Sequence, residues 1–205
     1  MAIDAYMFFQ GYDNEYLKSE SQVDAKNVNA SDKLFKDFGF EAAYKGGDPK
    51  TMGLFEVEDF SFDVEQTLNI GSSSSGSGAG KITFNPFSIT RKIDRASPTF
   101  FEMACSGTPF QKVAIGARKA GGGKNSGLIY LVFMFKLVAV KTISWSYDDE
   151  SPKETVTFEY GGMIIRYALQ KPDGTLDGTD YLAGWNKVKN VRDIGIKDGD
   201  LIKNA

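Results

Sequence analysis

The chain contains no histidine. That absence removes Ser-His-Asp and Cys-His nucleophile arrangements, histidine metal ligands and the usual proton carrier near neutral pH. A single cysteine, Cys105, leaves no internal disulfide and no cysteine-based zinc site. With no stapling bond, folding in a reducing compartment is the simpler expectation. Long apolar runs are lacking too. Residues 128–140, LIYLVFMFKLVAV, come closest, but the run contains Lys136 and falls short of the roughly 18 residues of a membrane span. The N-terminal MAIDAYMFFQGYDNE has no basic start and carries Asp4 in its short apolar stretch, so a secretory signal peptide is not expected. A net charge of -3 gives no excess of cations for a broad phosphate-binding surface.

What is present is core material: 41% hydrophobic and 13% aromatic residues in 205, which fits one β-rich domain with extensions. Alternation dominates over helical periodicity. Strands are expected at residues 3–10, 54–66, 81–92, 111–118, 128–144, 154–160 and 163–170. Pro86 marks a bulge or edge in the third, because it lacks the ladder donor. Gly161-Gly162 reads as the turn joining the last two. Ser97 reads as an N-cap, Pro98 as the first helical residue and Gly107 as a left-handed stop. Phe100, Phe101, Ala104 and Cys105 supply that helix with an apolar stripe, and Cys105 reads as a buried structural thiol. Residues 13–53 show no clean strand and one short helix start at 31–38. After Lys171 the sequence reads as a polar tail with a PDGT turn. These signals predict a mainly β fold, a small antiparallel β-barrel with one short flanking α-helix.

The 128–140 strand is apolar on both faces. Leu128, Tyr130, Val132 and Met134 alternate with Ile129, Leu131, Phe133 and Phe135. A small barrel leaves its outer face wet, so something must cover this one. The cover is either the 13–53 segment or helix, or a neighbouring subunit. On the second reading Ile129, Leu131, Phe133 and Phe135 are the candidate lateral interface.

The stretch Gly71, Ser72, Ser73, Ser74, Ser75, Gly76, Ser77, Gly78, Ala79 and Gly80, followed by Lys81, superficially suggests a phosphate cradle. It lacks the pattern: position 75 is Ser where a Walker loop needs Gly, and Ile82 stands where Ser or Thr is needed. A flexible inter-strand loop is the better reading. Asp148-Asp149-Glu150 reads as a solvated turn, and Asp173, Asp177 and Asp180 lack EF-hand spacing. No residue set stands out as catalytic, metal-binding or cofactor-binding. An enzyme using carboxylates or a Ser-Lys pair is the least favoured reading. Trp145 and Trp185 read as packing or subunit contacts.

Residues 80–121, GKITFNPFSITRKIDRASPTFFEMACSGTPFQKVAIGARKAG, resemble the Hcp family of type VI secretion proteins. They share a Gly/Ser-rich loop, a strand, a basic-Φ-Asp step, an Ala-Ser-Pro helix start, a short helix ending in Gly, and a strand with a basic residue near its end, here Arg118. LIYLVFMFKLVAVKTISWSY is similar to the family's long strand. Glu154, Phe158 and Tyr160 fall where the family has its E-x-(V)-x-(F/L)-x-Y run, and PDGT through Trp185 is similar to its C-terminal extension. The departure is at 13–53, where typical members have a short segment with His and Trp. The resemblance implies an inner-tube subunit, non-enzymatic and without cofactor. It forms homohexameric rings that stack, with sheath, spike and effector proteins as partners, and neither nucleic acid nor membrane insertion. It implies a cytoplasmic protein exported to the extracellular space or target cell without a signal peptide. Residues 1–185 are then one domain with an insertion at about 13–53, and 186–205 a tail. It gives residues 71–80 the role of ring-stacking loop. The alternatives are a ring-forming effector carrier or adaptor, and the tail-tube protein of a phage-like injection particle.

Overall fold

The structure, a computed structural model, describes residues 5–21, 33–44, 48, 50, 52–67, 82–118, 128–147, 151–171 and 175–192. Alternating apolar residues build the strands β1 (Ala5–Gln10), β2 (Phe55–Glu56), β3 (Asp59–Ser61), β4 (Val64–Gln66), β5 (Ile82–Phe84), β6 (Phe87–Lys92), β7 (Phe110–Arg118), β8 (Ile129–Tyr147), β9 (Pro152–Gln170) and β10 (Leu176–Asn186). The helices are α1 (Lys33–Asp37), α2 (Phe40–Tyr44) and α3 (Ser97–Ser106). The main sheet is antiparallel in the order β2-β1-β7-β8-β9-β6-β3, with β10 also on β9, and β4-β5 forms a separate two-stranded sheet.

The mainly β class is as expected, but the hydrogen-bonded barrel is not closed among the described residues. β2 and β3 are the two ends of the strand order, yet only residues 57–58 separate them in sequence. The chain itself therefore crosses the seam, leaving β1 at Glu56 and joining β6 at Asp59. The Glu58 amide donates to the Thr90 carbonyl on the far side (2.9 Å). A chain that changes edges cannot keep one ladder, which is why the strand expected over 54–66 is three short ones. Pro86 lies in the break between β5 and β6, where no ladder donor is needed.

The rolled sheet encloses a core of aromatic rings. Phe87 stacks on Phe135 (4.2 Å) and Phe158 (4.8 Å), and Phe9 contacts Phe100 edge-on (4.9 Å). The outer face carries a second core. There α1, α2 and the turn between them, from the 13–53 segment, lay Leu34, Phe35, Phe38, Phe40 and Tyr44 against Phe8, Ile129, Val132, Met134 and Ile164. Buried Arg166 anchors this layer, pairing with Asp37 (3.3 Å) under the Phe38 ring (5.2 Å). Gly116 on β7 makes room for it: a Cβ there would sit 2.8 Å from Phe40 and 2.9 Å from Ile129.

Four local expectations are corrected. Gly161-Gly162 is not a turn but lies inside the continuous β9; Leu137 on the paired strand would touch a Cβ at Gly161 at 3.0 Å. The presumed polar tail forms β10, registered from Leu176↔Gln170 to Asn186↔Gly162. Ser97 is the first helical residue, not the N-cap; the residue before it, Ala96, is already helical and makes no side-chain cap. Instead the Ser97 hydroxyl donates to Glu154 Oε1 (2.8 Å). Gly107 ends α3 in the left-handed conformation, φ +69, as read. Finally Cys105 is exposed. α3 buries Ser97 and Phe100, and Cys105 lies five residues past Phe100, about 140° further round the helix. The single helix expected is joined by the two short insertion helices, the first of them inside the 31–38 start.

Candidate functional site

No group of three or more His, Cys, Asp or Glu side chains capable of holding a metal occurs among the described residues. The candidate functional features are surfaces, and they lie at three places on the fold.

The first is the β4-β5 hairpin. Residues 71–80, expected as the stacking loop, lie outside the described residues. Their supporting strands are registered Val64↔Phe84, Glu65↔Thr83 and Gln66↔Ile82, and all of β4 is exposed. Asn85 Nδ2 donates to Asp63 Oδ2 (2.6 Å) across the hairpin base. Phe62, one residue before that base, packs on Phe133 (4.8 Å) and Phe135 (5.5 Å); Phe84 meets Tyr160 edge-on (6.3 Å). The hairpin is thus fixed by aromatic contacts at its root and by β5, whose Phe84 and Ile82 pack on the barrel core, while β4 faces solvent.

The second is the upper part of β8. Ile129 and Phe135 are fully buried inside the chain, Ile129 under the insertion helices and Phe135 in the barrel core. Both of these expected interface residues are taken up by the chain's own packing. Ile129 joins the outer layer although its parity matches Leu131, because the β7-β8 register shifts between Ala117 and Arg118. Leu131 and Phe133 stay partly exposed on the inner face. They lead into a strip absent from the sequence reading: Leu131 pairs with Tyr167, which pairs with Tyr181. Tyr167 is 38% and Tyr181 59% exposed. The signal for Tyr167 was the parity of Met163, Ile165 and Tyr167; Tyr181 was hidden in an apparent tail.

The third is the far end of β8. Buried Glu154 accepts from Arg91 (2.6 Å), Ser97 (2.8 Å) and the Trp145 indole N–H (3.3 Å). Arg91 also pairs with Asp94 and lies over the Phe55 ring (4.9 Å). The basic-Φ-Asp step and the Glu154 run are therefore two halves of one buried ion-pair network joining β6, β9, α3 and β8. Above it the exposed rings of Trp145 and Phe101 approach to 6.2 Å. Arg118, the basic residue at the end of β7, lies over Tyr6 (4.2 Å).

Comparison with known proteins follows the same outline. The family described as "Type VI secretion system effector, Hcp" matches residues 46–167. Protein hcp1 of Pseudomonas aeruginosa is 33% identical over 114 residues, spanning 55% of this chain and 69% of that protein. A solved structure of a type six secretion system protein aligns with a TM-score of 0.68 at 20% identity, covering 93% of this chain and 99% of that one. Hcp1 from Salmonella typhimurium aligns at 0.59 and 21% identity, covering 93% and 98%. At these identities the structural likeness speaks for the fold.

Proposed function

This chain belongs to the Hcp family of type VI secretion proteins, builders of a secretion tube, and we propose that it assembles as a homohexameric ring whose copies stack axially. The observation that carries this is the family match over residues 46–167 together with a fold shared over nearly the whole chain. A closed ring needs a heterologous lateral contact, and a tube needs a second, axial one. Half-buried Leu131 and Phe133, continuing into Tyr167 and Tyr181, supply apolar surface for the lateral contact. The β4-β5 hairpin and residues 71–80 supply the axial one. In this reading the protein is a structural subunit without catalytic activity or cofactor, and sheath, spike and lumen-borne effectors are its partners. It waits in the cytoplasm and leaves through the type VI apparatus without a signal peptide.

Sedimentation velocity with negative-stain imaging of the purified protein tests the reading: rings and short stacks are expected, and a strict monomer overturns it. Deleting Ser72 to Ala79 is expected to leave rings intact while abolishing stacks and secretion. Normal secretion by that variant removes the loop from the mechanism. The insertion helices, which add a layer outside the barrel, favour one second reading, a ring that carries effectors without building the bulk tube. Rings that never stack at high concentration select it.

A further inference from the structure

Among the described residues the β4-β5 hairpin shares no ladder with the main sheet, so its angle depends on side-chain contacts and on the polar contacts at its root. Besides the aromatic contacts already described, one is polar and reaches it from the other end of the chain. Lys187, the residue after β10, donates from Nζ to the Phe84 carbonyl (3.4 Å) and to Glu159 Oε2 (3.2 Å), and its ammonium lies 5.7 Å from the Tyr160 ring centre. Glu159 is gripped on its other oxygen by Lys141 of β8 (2.8 Å).

The backbone sets Lys187 in place before its side chain makes any of these contacts. Its amide donates to the Gly161 carbonyl (2.8 Å), Asn186 and Val191 form a two-way bridge, and Lys189 N–H donates to Asn186 Oδ1 (2.9 Å). The ammonium is therefore held at the meeting point of β5, β9 and the end of β10. Its ion pair with Glu159 is open to water, with side chains 37% and 42% exposed. Such a contact is modest in strength and reversible, unlike the buried Arg91–Glu154 pair at the other end of the sheet.

We infer that Lys187 is a positioning latch, tying the root of the β4-β5 hairpin to the C-terminal end of β10 through the Phe84 carbonyl and the Glu159 carboxylate. Released, the hairpin keeps its aromatic root but loses the polar tie that fixes its angle. Engaged, it moves with β10. The consequence for ring stacking rests on the reading of the hairpin as the axial contact; the latch itself does not.

The test is amide hydrogen exchange on the full-length protein, wild type against Lys187→Met, Lys187→Arg and Lys141→Met. Methionine keeps the aliphatic stem and removes the ammonium. Exchange of the hairpin amides, residues 64–66 and 82–85, is expected to rise by roughly 1.5- to fivefold in Lys187→Met, the range for losing one exposed ion pair. Exchange in β7 and the unfolding midpoint should stay at wild-type values. Arginine should restore protection, and Lys141→Met, which strips Glu159 of its other partner only, should leave the hairpin protected. Hairpin exchange unchanged in Lys187→Met overturns the latch, as does a rise spread over the whole sheet. Stacking is read separately by sedimentation. A released hairpin with undiminished stacking upholds the latch and counts against the hairpin as the axial contact.

Discussion

Tyr160 places its hydroxyl inside the barrel among Phe84, Phe87 and Phe135, where the oxygen has no hydrogen-bond partner among the described residues. Burial first, then the nearby Glu159 and Asp63 charges, push its pKa up to about 12 from an ordinary value of 10.0. Between those values the unfolded chain has released a proton that the folded chain still holds. The resulting stability is complete below pH 10 and is lost as pH climbs toward 12. Tyr160→Phe removes both the titration and an unsatisfied polar group. It is expected to match or exceed wild type by about 1 kcal/mol at neutral pH, and to flatten the alkaline loss measured by urea titration at rising pH. Glu159 runs the other way. Its hydrogen bond from Lys141, with help from Lys187, holds its carboxyl below the usual range, so its small share of stability fades as pH falls through that lowered value. At this scale the sequence was partly readable. Gly107 and Pro98 announce a helix because their backbone chemistry is local. Ser97 and Cys105 could not be placed from sequence alone, since what decided them was Glu154 on a distant strand and the angle at which α3 meets the sheet.

At the scale of elements, the 13–53 segment settles why β8 is apolar on both faces. The two short helices among its described residues are below the length that stands alone in water, so they exist only as a layer docked on the sheet. Phe40 holds them there, packed on Phe8 edge-on at 5.1 Å and fitted over the bare backbone of Gly116. Phe40→Ala is expected to cost about 3–5 kcal/mol, as for a buried aromatic truncation that cannot collapse. The cost should appear as a lower denaturant midpoint, together with faster proteolysis of residues 33–44. A midpoint equal to wild type would show that the layer contributes nothing. The elements that sequence revealed are those whose faces differ in polarity, such as β6 with its buried Phe87, Ile89 and Arg91. The elements it misjudged have a tertiary cause. Gly161-Gly162 carries the ordinary signature of a turn, yet here it lies opposite the left-handed Leu137, φ +52, whose side chain needs the missing Cβ. β10 lacks an apolar alternation of its own and is ordered by the ladder that β9 offers.

At the scale of the whole molecule, the question is which apolar surface is left over once both cores are filled. The two faces of β8 are largely spent inside the chain: Ile129, Val132 and Met134 outside, Phe135 and Val138 within. Next to the barrel core, the inner face stays partly open at Leu131 and Phe133 and across to Tyr167 and Tyr181, while Phe101, Trp145 and Tyr147 are exposed at the opposite end. Sequence alone could not separate these from their buried neighbours, because Leu131 and Phe135 share parity, type and strand. Only their position relative to Phe62 and the rolled edge of the sheet tells them apart. Phe133 is still clasped by Phe60 (6.1 Å) and Phe62 (4.8 Å), so a charge there threatens the fold as well as any contact. Leu131 is the cleaner probe. Leu131→Asp is expected to give a folded protein, with wild-type circular dichroism and an unfolding midpoint within a few degrees, that sediments as a monomer. Phe135→Asp, which buries an unpaired carboxylate in the barrel core, should fail to fold at all. If Leu131→Asp instead remains a ring, the lateral contact lies elsewhere on the molecule. The exposed Trp145 and Phe101, held above the Glu154 network at the opposite end of β8, are then the next surface to charge.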